Sequence, residues 1–212
     1  MSEFVHLHCH TQYSLLDGAS EIGAMMDKAV ADGQKGVAMT DHGNMFGAFK
    51  FVNEASKRNI KPMIGCEFYL VKDRHKKAFS RAAGEKDKRY HQLMLAKNKK
   101  GYQNLCKLCS IGYIEGLYGK YPRIDKELIE KYHEGLIVTS CCIGAEIPQL
   151  LIAVKDEEAE EALKLWLNIF EDDYYIEIQR HRGIEDIDLG KDREGRTIYS
   201  GKSQEDINVK LM

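Results

Sequence analysis

The chain has 212 residues, of which 43% are hydrophobic and 30% charged, and its formal net charge is −2 at pH 7. This length suits one large domain that can bury a core without disulfides. A charge close to zero excludes a global attraction to nucleic acid, so any such contact must come from a local patch. The start of the chain lacks signal-peptide features, no apolar run reaches membrane-spanning length, and the six cysteines are scattered. These features favour a cytoplasmic protein with reduced thiols.

Short apolar runs alternate with amphipathic stretches along the chain. Strands are predicted over residues 4–9, 36–41, 62–71, 92–96, 136–140 and 174–179. The first helix is predicted to begin after an N-cap at Ser20 and to end at Gly33, and a second passes through Phe49, Val52 and Ala55. Further helices are predicted over 102–109, before Gly135, over 156–170, and after Ser203 through Ile207 and Leu211. The alternation predicts a parallel sheet or a barrel.

Three histidines alternate in the first predicted strand. Side chains at positions i, i+2 and i+4 of a strand point to one face, so His6, His8 and His10 are expected to converge. Imidazole is a good ligand for zinc, iron and manganese, and clustered imidazoles without a metal are unfavourable. The pattern therefore indicates a metal site. The alternative is that these histidines are ordinary core or surface residues.

Unusual polar residues recur at the ends of the predicted strands, where α/β barrels carry their functional groups. They are His8 and His10 with Asp17, Asp41 and His42, Glu67, Cys141 and Cys142, and Gln179 with His181. His91 fits less well, because it enters its strand instead of leaving it. Mixed imidazole and carboxylate ligands suit a cluster of divalent metals, and such clusters hydrolyse phosphate esters.

Several of these residues have alternative roles. Asp41 is expected to orient an imidazole instead of binding metal, because neighbouring residues in extended chain point in opposite directions. Glu67 is either a ligand or a buried structural acid, and the rarity of unpaired buried carboxylates favours the ligand. Cys106 and Cys109 form a single C-x-x-C motif without a second one, which is more typical of core packing than of zinc binding.

The predicted loop over residues 72–89 contains eight basic and three acidic residues. It follows the third strand and is expected to overhang the edge that carries the ligands. A basic loop at that place could contact a DNA backbone. The candidates for this contact are Lys72, Arg74, Lys76, Lys77 and Arg81. The alternative is an ordinary solvated loop.

These motifs together resemble the PHP (polymerase and histidinol phosphatase) domain family. The resemblance is carried by residues 8–10 with Asp17, by 40–44 and by 65–67, and it is supported by stretches 13–18, 101–105, 122–125 and 144–149. The most similar form of the family is the one at the N-terminus of bacterial DNA polymerase III alpha subunits. It implies a distorted seven-stranded β/α (TIM-like) barrel that holds up to three divalent metals.

By this resemblance, the metal ligands are His8, His10, Asp17, His42, Glu67, His91 and Cys142. His8, His10 and Glu67 would act in catalysis through the bound metals (zinc, manganese or iron), and His6 and Asp41 would be neighbours of the ligands. A late Asp-x-His pair of the family is missing, so the barrel is expected to be incomplete at its C-terminal end. The domain core is assigned to residues 1–181, and residues 182–212 to a charged insertion followed by the start of a helix.

The implied function is that of the metal-binding domain of a replicative polymerase, a nucleotidyltransferase, in the bacterial cytoplasm. The domain would contribute 3′–5′ exonuclease or phosphoesterase activity. Its partners would be DNA, the remaining polymerase domains, which are absent from these residues, and other replisome subunits. One alternative is a non-catalytic domain that braces the polymerase. The other is a small-molecule phosphatase of the histidinol-phosphate type.

Overall fold

The computed structural model describes residues 4–15, 17–80, 82–179, 188–191, 197–199 and 204–212. These residues form two compact units, Met1–Val138 and Thr139–Met212. Arg81, His181 and Ser203, which the sequence analysis singled out, lie outside the described residues.

Helices and strands alternate through the first unit. Its helices are α1 (Ile22–Ala31), α2 (Ala48–Lys57), α3 (Lys99–Ile114) and α4 (Lys126–Lys131). Its strands are β1 (Gly36–Met39), β2 (Lys61–Leu70), β3 (Tyr90–Ala96), β4 (Arg123–Ile124) and β5 (Leu136–Thr139), the last of which ends at the boundary with the second unit. The predicted α/β alternation is confirmed.

Strand β2 is the centre of the sheet, because it pairs with three other strands and carries partners along both edges. One edge pairs in parallel with β1, then with His42 through a bridge at Glu67, and then with β4. The other edge pairs antiparallel with β3, which in turn pairs antiparallel with β5. The expected all-parallel sheet is therefore wrong at β3. Hydrophobic periodicity does not encode strand direction, and the long connection before β3 permits either direction.

The first predicted strand is not formed as a strand. Residues 6–9 run beside β1 and accept two backbone hydrogen bonds, from the Ala38 N–H to the His6 carbonyl (2.9 Å) and from the Thr40 N–H to the Cys9 carbonyl (2.8 Å). The order of paired strands is open, with β1 at one end. Over the residues that the structure describes, the sheet is therefore a mixed, open one, and the closed seven-stranded barrel is not observed.

The helices that cover β1 and β2 bury one face each. Ile22 and Met26 of α1 and Phe51 of α2 join β-strand side chains in a single apolar cluster. The N-cap of α1 is Glu21, whose side chain accepts a hydrogen bond from the Ala24 N–H, and not the predicted Ser20. In α2 the predicted apolar face is also misplaced, because Phe49 is 87% exposed.

A buried arginine fastens the charged connection between β2 and β3. Residues 123–124 form β4, which places the Arg123 side chain at 0% exposure. Its guanidinium donates to the carbonyls of Gly116 (2.8 Å), Arg74 (3.0 Å) and Lys76 (3.0 Å) and to the carboxylate of Asp87 (2.8 Å). The connection is irregular, as predicted, but the hydrogen bonds of Arg123 hold it in place.

The second unit contains mostly helices. They are α5 (Glu146–Ile152), α6 (Asp156–Phe170), a 3₁₀ turn (Glu171–Asp173) and α7 (Gln204–Leu211), and the strands are β6 (Tyr174–Tyr175) and the antiparallel pair β7 (Asp188–Lys191) and β8 (Thr197–Tyr199). The bounds of α6 and the presence of α7 agree with the predictions. Helix α5 and the β7–β8 pair were not predicted from the sequence. Strand β6 is shorter than the predicted strand over residues 174–179. No helix in the described ranges is long and apolar enough to cross a membrane.

Candidate metal centre

One buried carboxylate is the focus of the site. Glu67 lies on β2 and is 1% exposed. Its Oε2 atom lies 3.1 Å from His8 Nε2, 2.6 Å from His10 Nε2 and 3.3 Å from His42 Nδ1. Its Oε1 atom lies 2.8 Å from His91 Nδ1. The structure thus brings four imidazoles around one acid.

His8 and His10 reach Glu67 from the extended segment beside β1, where alternation places both rings on one side. His6 follows the same alternation but does not join them. Its side chain is exposed, and its ring lies edge-on to Phe4 with centroids 4.8 Å apart. The predicted place of His6 beside the ligands is therefore wrong.

Asp17 and His42 complete one side of the cluster. Asp17 Oδ2 lies 2.9 Å from His10 Nδ1 and 3.0 Å from His42 Nε2. The His42 backbone pairs with Glu67 at the parallel bridge, where the Gly43 N–H donates to the Glu67 carbonyl (2.8 Å). The backbone of β2 therefore positions the His42 ring directly.

His91 reaches the cluster because β3 runs antiparallel to β2. The start of β3 then lies at the same edge as the end of β2, and His91 pairs with Tyr69. Glu67 and His91 are diagonal neighbours on one face of this pair, a spacing that long side chains can span. The strand direction thus explains a residue that the parallel interpretation could not place.

Asp41 supports the loop between two of the predicted ligands instead of orienting an imidazole. Its buried carboxylate accepts hydrogen bonds from Thr11 N–H (2.6 Å), Thr11 Oγ1 (2.7 Å) and Ser14 Oγ (2.7 Å). Ser14 Oγ also accepts a hydrogen bond from the His42 N–H (3.1 Å). Asp41 therefore fixes the loop that connects His10 to Asp17.

The electrostatics of the cluster favour an ionised acid beside basic nitrogens. Burial alone would raise the pKa of Glu67, but the hydrogen bonds from His10, His8 and His91 hold it well below its usual range. Burial alone would lower the pKa of His10, but the contacts of its ring with Glu67 and Asp17 outweigh this effect and raise the pKa. Burial lowers the pKa of His42, which keeps a nitrogen lone pair available.

The donor set fits divalent metal ions. Three overlapping groups each place their ligand atoms within 4.8 Å of one another: His8–His10–Glu67, His10–Asp17–His42 and His42–Glu67–His91. His42 Nδ1 is buried and, within the part of the chain that the structure describes, makes no hydrogen bond of suitable geometry, although Glu67 Oε2 lies 3.3 Å away. Such an atom is costly to bury unless something binds it. Neutral imidazoles and carboxylates suit zinc, manganese or iron.

Cys142 belongs to the second unit and follows the end of β5. Its side chain is partly buried, and the preceding Cys141 has a positive φ of 58°. The role of Cys142 as a ligand stays a prediction.

The predicted DNA-contact residues have different environments. Arg74 is buried and donates to Asp125 (2.8 and 3.0 Å), Glu115 (2.7 Å) and Glu127 (3.2 Å), so its charge is already compensated and its assignment to DNA is wrong. Lys76 pairs with Glu85 at 2.8 Å. Lys72 and Lys77 are exposed.

A pocket of about 450 Å³ adjoins the cluster, and the sequence analysis missed most of its lining. His42, His91 and Asp17 form part of its wall, together with Arg89, Lys120, Tyr121, Tyr69 and Phe46. In the sequence, the signal that could have indicated this pocket is the mixture of cationic and aromatic residues near a predicted strand end. These residues lie in five separate chain segments, so only the fold shows that they meet.

The fold and the cluster define an α/β domain whose histidine and carboxylate side chains could hold metal ions. The chain belongs to the PHP domain family, whose model matches residues 6–181. It is 48% identical over 193 residues to the DNA polymerase III subunit alpha of Borreliella burgdorferi, a match that covers 91% of this chain and 16% of that protein. It is 46% identical over 180 residues to the same subunit of Treponema pallidum, covering 84% and 15%. The chain therefore spans about one-sixth of the length of these relatives.

A solved structure also shows a partial likeness. It is an amidohydrolase from Chromobacterium violaceum with bound sulfate and no metal, with a TM-score of 0.37 and 24% sequence identity. The match covers 51% of this chain and 33% of that one.

Proposed function

We propose that this chain is the metal-binding N-terminal domain of a DNA polymerase III alpha subunit and that it hydrolyses phosphodiesters at the 3′ end of DNA. The observation that carries this proposal is the convergence of four imidazoles on Glu67, with Asp17 beside them. The names of the relatives support the polymerase context. The seven-stranded barrel, incomplete at its C-terminal end, belongs to this proposal, as does the ligand set with Cys142. So do the contacts with DNA, with other polymerase domains and with replisome subunits in the cytoplasm.

The residues have distinct tasks in this site. When bound, the metals would activate water and neutralise phosphate oxygens. Glu67 supplies a buried negative charge, and His8, His10 and His91 supply nitrogen ligands around it. Asp17, whose side chain is 57% exposed, supplies a second carboxylate where water and substrate have access. Asp41 fixes the loop, so that His10 and Asp17 keep their spacing.

Metal analysis of matched histidine variants tests the site. His8→Ala removes an imidazole that contacts Glu67, whereas His6→Ala removes one that lies two residues away and outside the cluster. Purified under metal-replete conditions, the native chain and His6→Ala should retain metal, and His8→Ala and Glu67→Gln should lose most of it. A metal content near zero in the native chain would contradict the site.

Activity on two substrates separates the candidate functions. Release of nucleotides from a labelled single-stranded oligonucleotide, lost in Glu67→Gln and kept in His6→Ala, supports the exonuclease. Metal binding without hydrolysis supports a structural brace. Hydrolysis of p-nitrophenyl phosphate alone supports a small-molecule phosphatase.

A further inference from the structure

The pocket beside the cluster combines two kinds of surface. Arg89 and Lys120 supply positive charge, and Phe46 and Leu15 supply apolar surface that is 65% and 80% exposed. Exposed apolar side chains in the wall of a polar pocket offer a surface against which an apolar part of a ligand can pack. Its volume of about 450 Å³ falls within the usual range for a site that holds one small ligand.

The cationic part of the pocket is held in place before any ligand arrives. The Arg89 guanidinium lies over the Tyr121 ring, 3.7 Å from its centroid, and Lys120 Nζ lies 5.5 Å from the same centroid. Asp87 also contacts Arg89, but it pairs with the buried Arg123 as well. Among the described residues, Lys120 forms no ion pair with an acid. A stacked guanidinium beside an unpaired ammonium is suited to a phosphate group.

The aromatic part is also positioned. The Phe46 N–H donates to Asn44 Oδ1 (3.1 Å), and the Phe46 ring lies 5.9 Å from the Tyr113 ring. An exposed ring that is fixed on one side offers a stacking surface, and every nucleobase has a face that can use it. The pocket therefore offers phosphate binding and base stacking within reach of the metal ligands His42 and His91.

We propose that this pocket holds the terminal nucleotide of a single-stranded polynucleotide, with Arg89 and Lys120 on its phosphate and Phe46 and Leu15 against its base. The assignment rests on the proposed function, because it supplies the substrate for that chemistry. It predicts binding that tolerates any sequence, since the contacts reach the backbone and the base face but no base edge. The terminal nucleotide must be unpaired to enter.

Binding of an oligonucleotide by the whole 212-residue chain tests this assignment without any need for turnover. The probe is a fluorescein-labelled single-stranded oligothymidylate with a phosphorothioate at its last linkage, and the readout is fluorescence anisotropy. Lys120→Met should weaken binding several-fold and reduce the slope of log Kd against log salt by about 0.7. Its control is Lys107→Met, which removes an exposed lysine of α3 that does not line the pocket and forms no ion pair in the described residues.

A second pair of variants tests the aromatic surface. Phe46→Ala should weaken binding at least about fivefold, the loss of one base–aromatic stack, and should remove the preference for this probe over one with an abasic 3′ end. Its control is Phe49→Ala, which removes an exposed ring that does not line the pocket. All four side chains are exposed, so circular dichroism and metal content should stay those of the native chain.

The outcomes separate this assignment from the proposed function. If Lys120→Met and Phe46→Ala bind as their controls do, the assignment is wrong even where the native chain hydrolyses DNA. If the two variants bind weakly while the native chain binds but does not hydrolyse the unmodified strand, the pocket assignment stands and the nuclease proposal fails. If only Lys120→Met weakens binding of the oligonucleotide, and inorganic phosphate binds as tightly as the oligonucleotide does, the pocket is a phosphate site and the nucleotide assignment is wrong.

Discussion

Replacing Asp41 tests whether a residue that binds no metal determines the geometry of the site. Its carboxylate accepts three hydrogen bonds, two from Thr11 and one from Ser14. A buried hydrogen bond to a charged group contributes roughly 1.5–3 kcal/mol, so Asp41→Ala should lower the free energy of unfolding by about 5 kcal/mol. Asp41→Asn keeps an oxygen for two of the donors and should lower it by only about 1–2 kcal/mol.

Urea denaturation followed by circular dichroism, with EDTA present, measures these losses independently of metal. The control is Asp27→Ala, which removes a surface carboxylate paired with Arg58 and should change stability far less than Asp41→Ala does, because exposed ion pairs contribute little. Metal content gives the second readout: Asp41→Asn should retain most of the metal and Asp41→Ala little. Equal losses for Asp41→Ala and Asp27→Ala would refute the reasoning, as would full metal content in a folded Asp41→Ala.

Three further outcomes are expected. Arg123→Met should lower the free energy of unfolding by about 3–5 kcal/mol in urea denaturation, because it leaves buried acceptors and a carboxylate without their donor; Arg58→Met on the surface should have a much smaller effect. Gly18→Ala should lower both the melting temperature and the metal content, because the new Cβ would lie 2.0 Å from the Thr11 carbonyl oxygen. In the control Gly33→Ala the new Cβ would meet nothing within 4 Å, so only the positive φ of that position would strain the substitution. Removal of metal with EDTA should lower the melting temperature of the native chain, and metal at 100 times its Kd should restore about 2.7 kcal/mol in a denaturation titration.

The sequence predicted the elements of the site better than their directions. His8, His10 and His42 come after or within apolar runs whose periodicity is visible, and the structure brings them together. The antiparallel direction of β3 could not be predicted, since pairing partners are decided by the whole sheet. The sequence therefore groups His91 with the other candidate ligands, although its position at the start of a strand does not fit a parallel order.

Local patterns were misleading where tertiary contacts decide. Arg74 looks like other basic residues of its loop, but the end of α3 and the start of α4 bring acids to it from more than forty residues away. His6 shares the alternation of His8 and lacks its surroundings. The pocket residues Arg89 and Lys120 belong to no sequence motif, because only the fold brings both side chains to the Tyr121 ring.

In the described residues, the segment that carries His8 and His10 accepts two backbone hydrogen bonds, one from Ala38 of β1 and one from Thr40 just after it, and the Thr40 hydroxyl also bonds to the Cys9 backbone. Such an edge should fray readily, and its amides should exchange with solvent far faster than those of β2. The two histidines contact Glu67 across 59 and 57 positions of the chain. An ion shared by these side chains would act as a cross-link that closes a long loop, an effect comparable to that of a disulfide. Metal loading should then convert local fraying at the N-terminus into opening that requires the whole first unit to unfold.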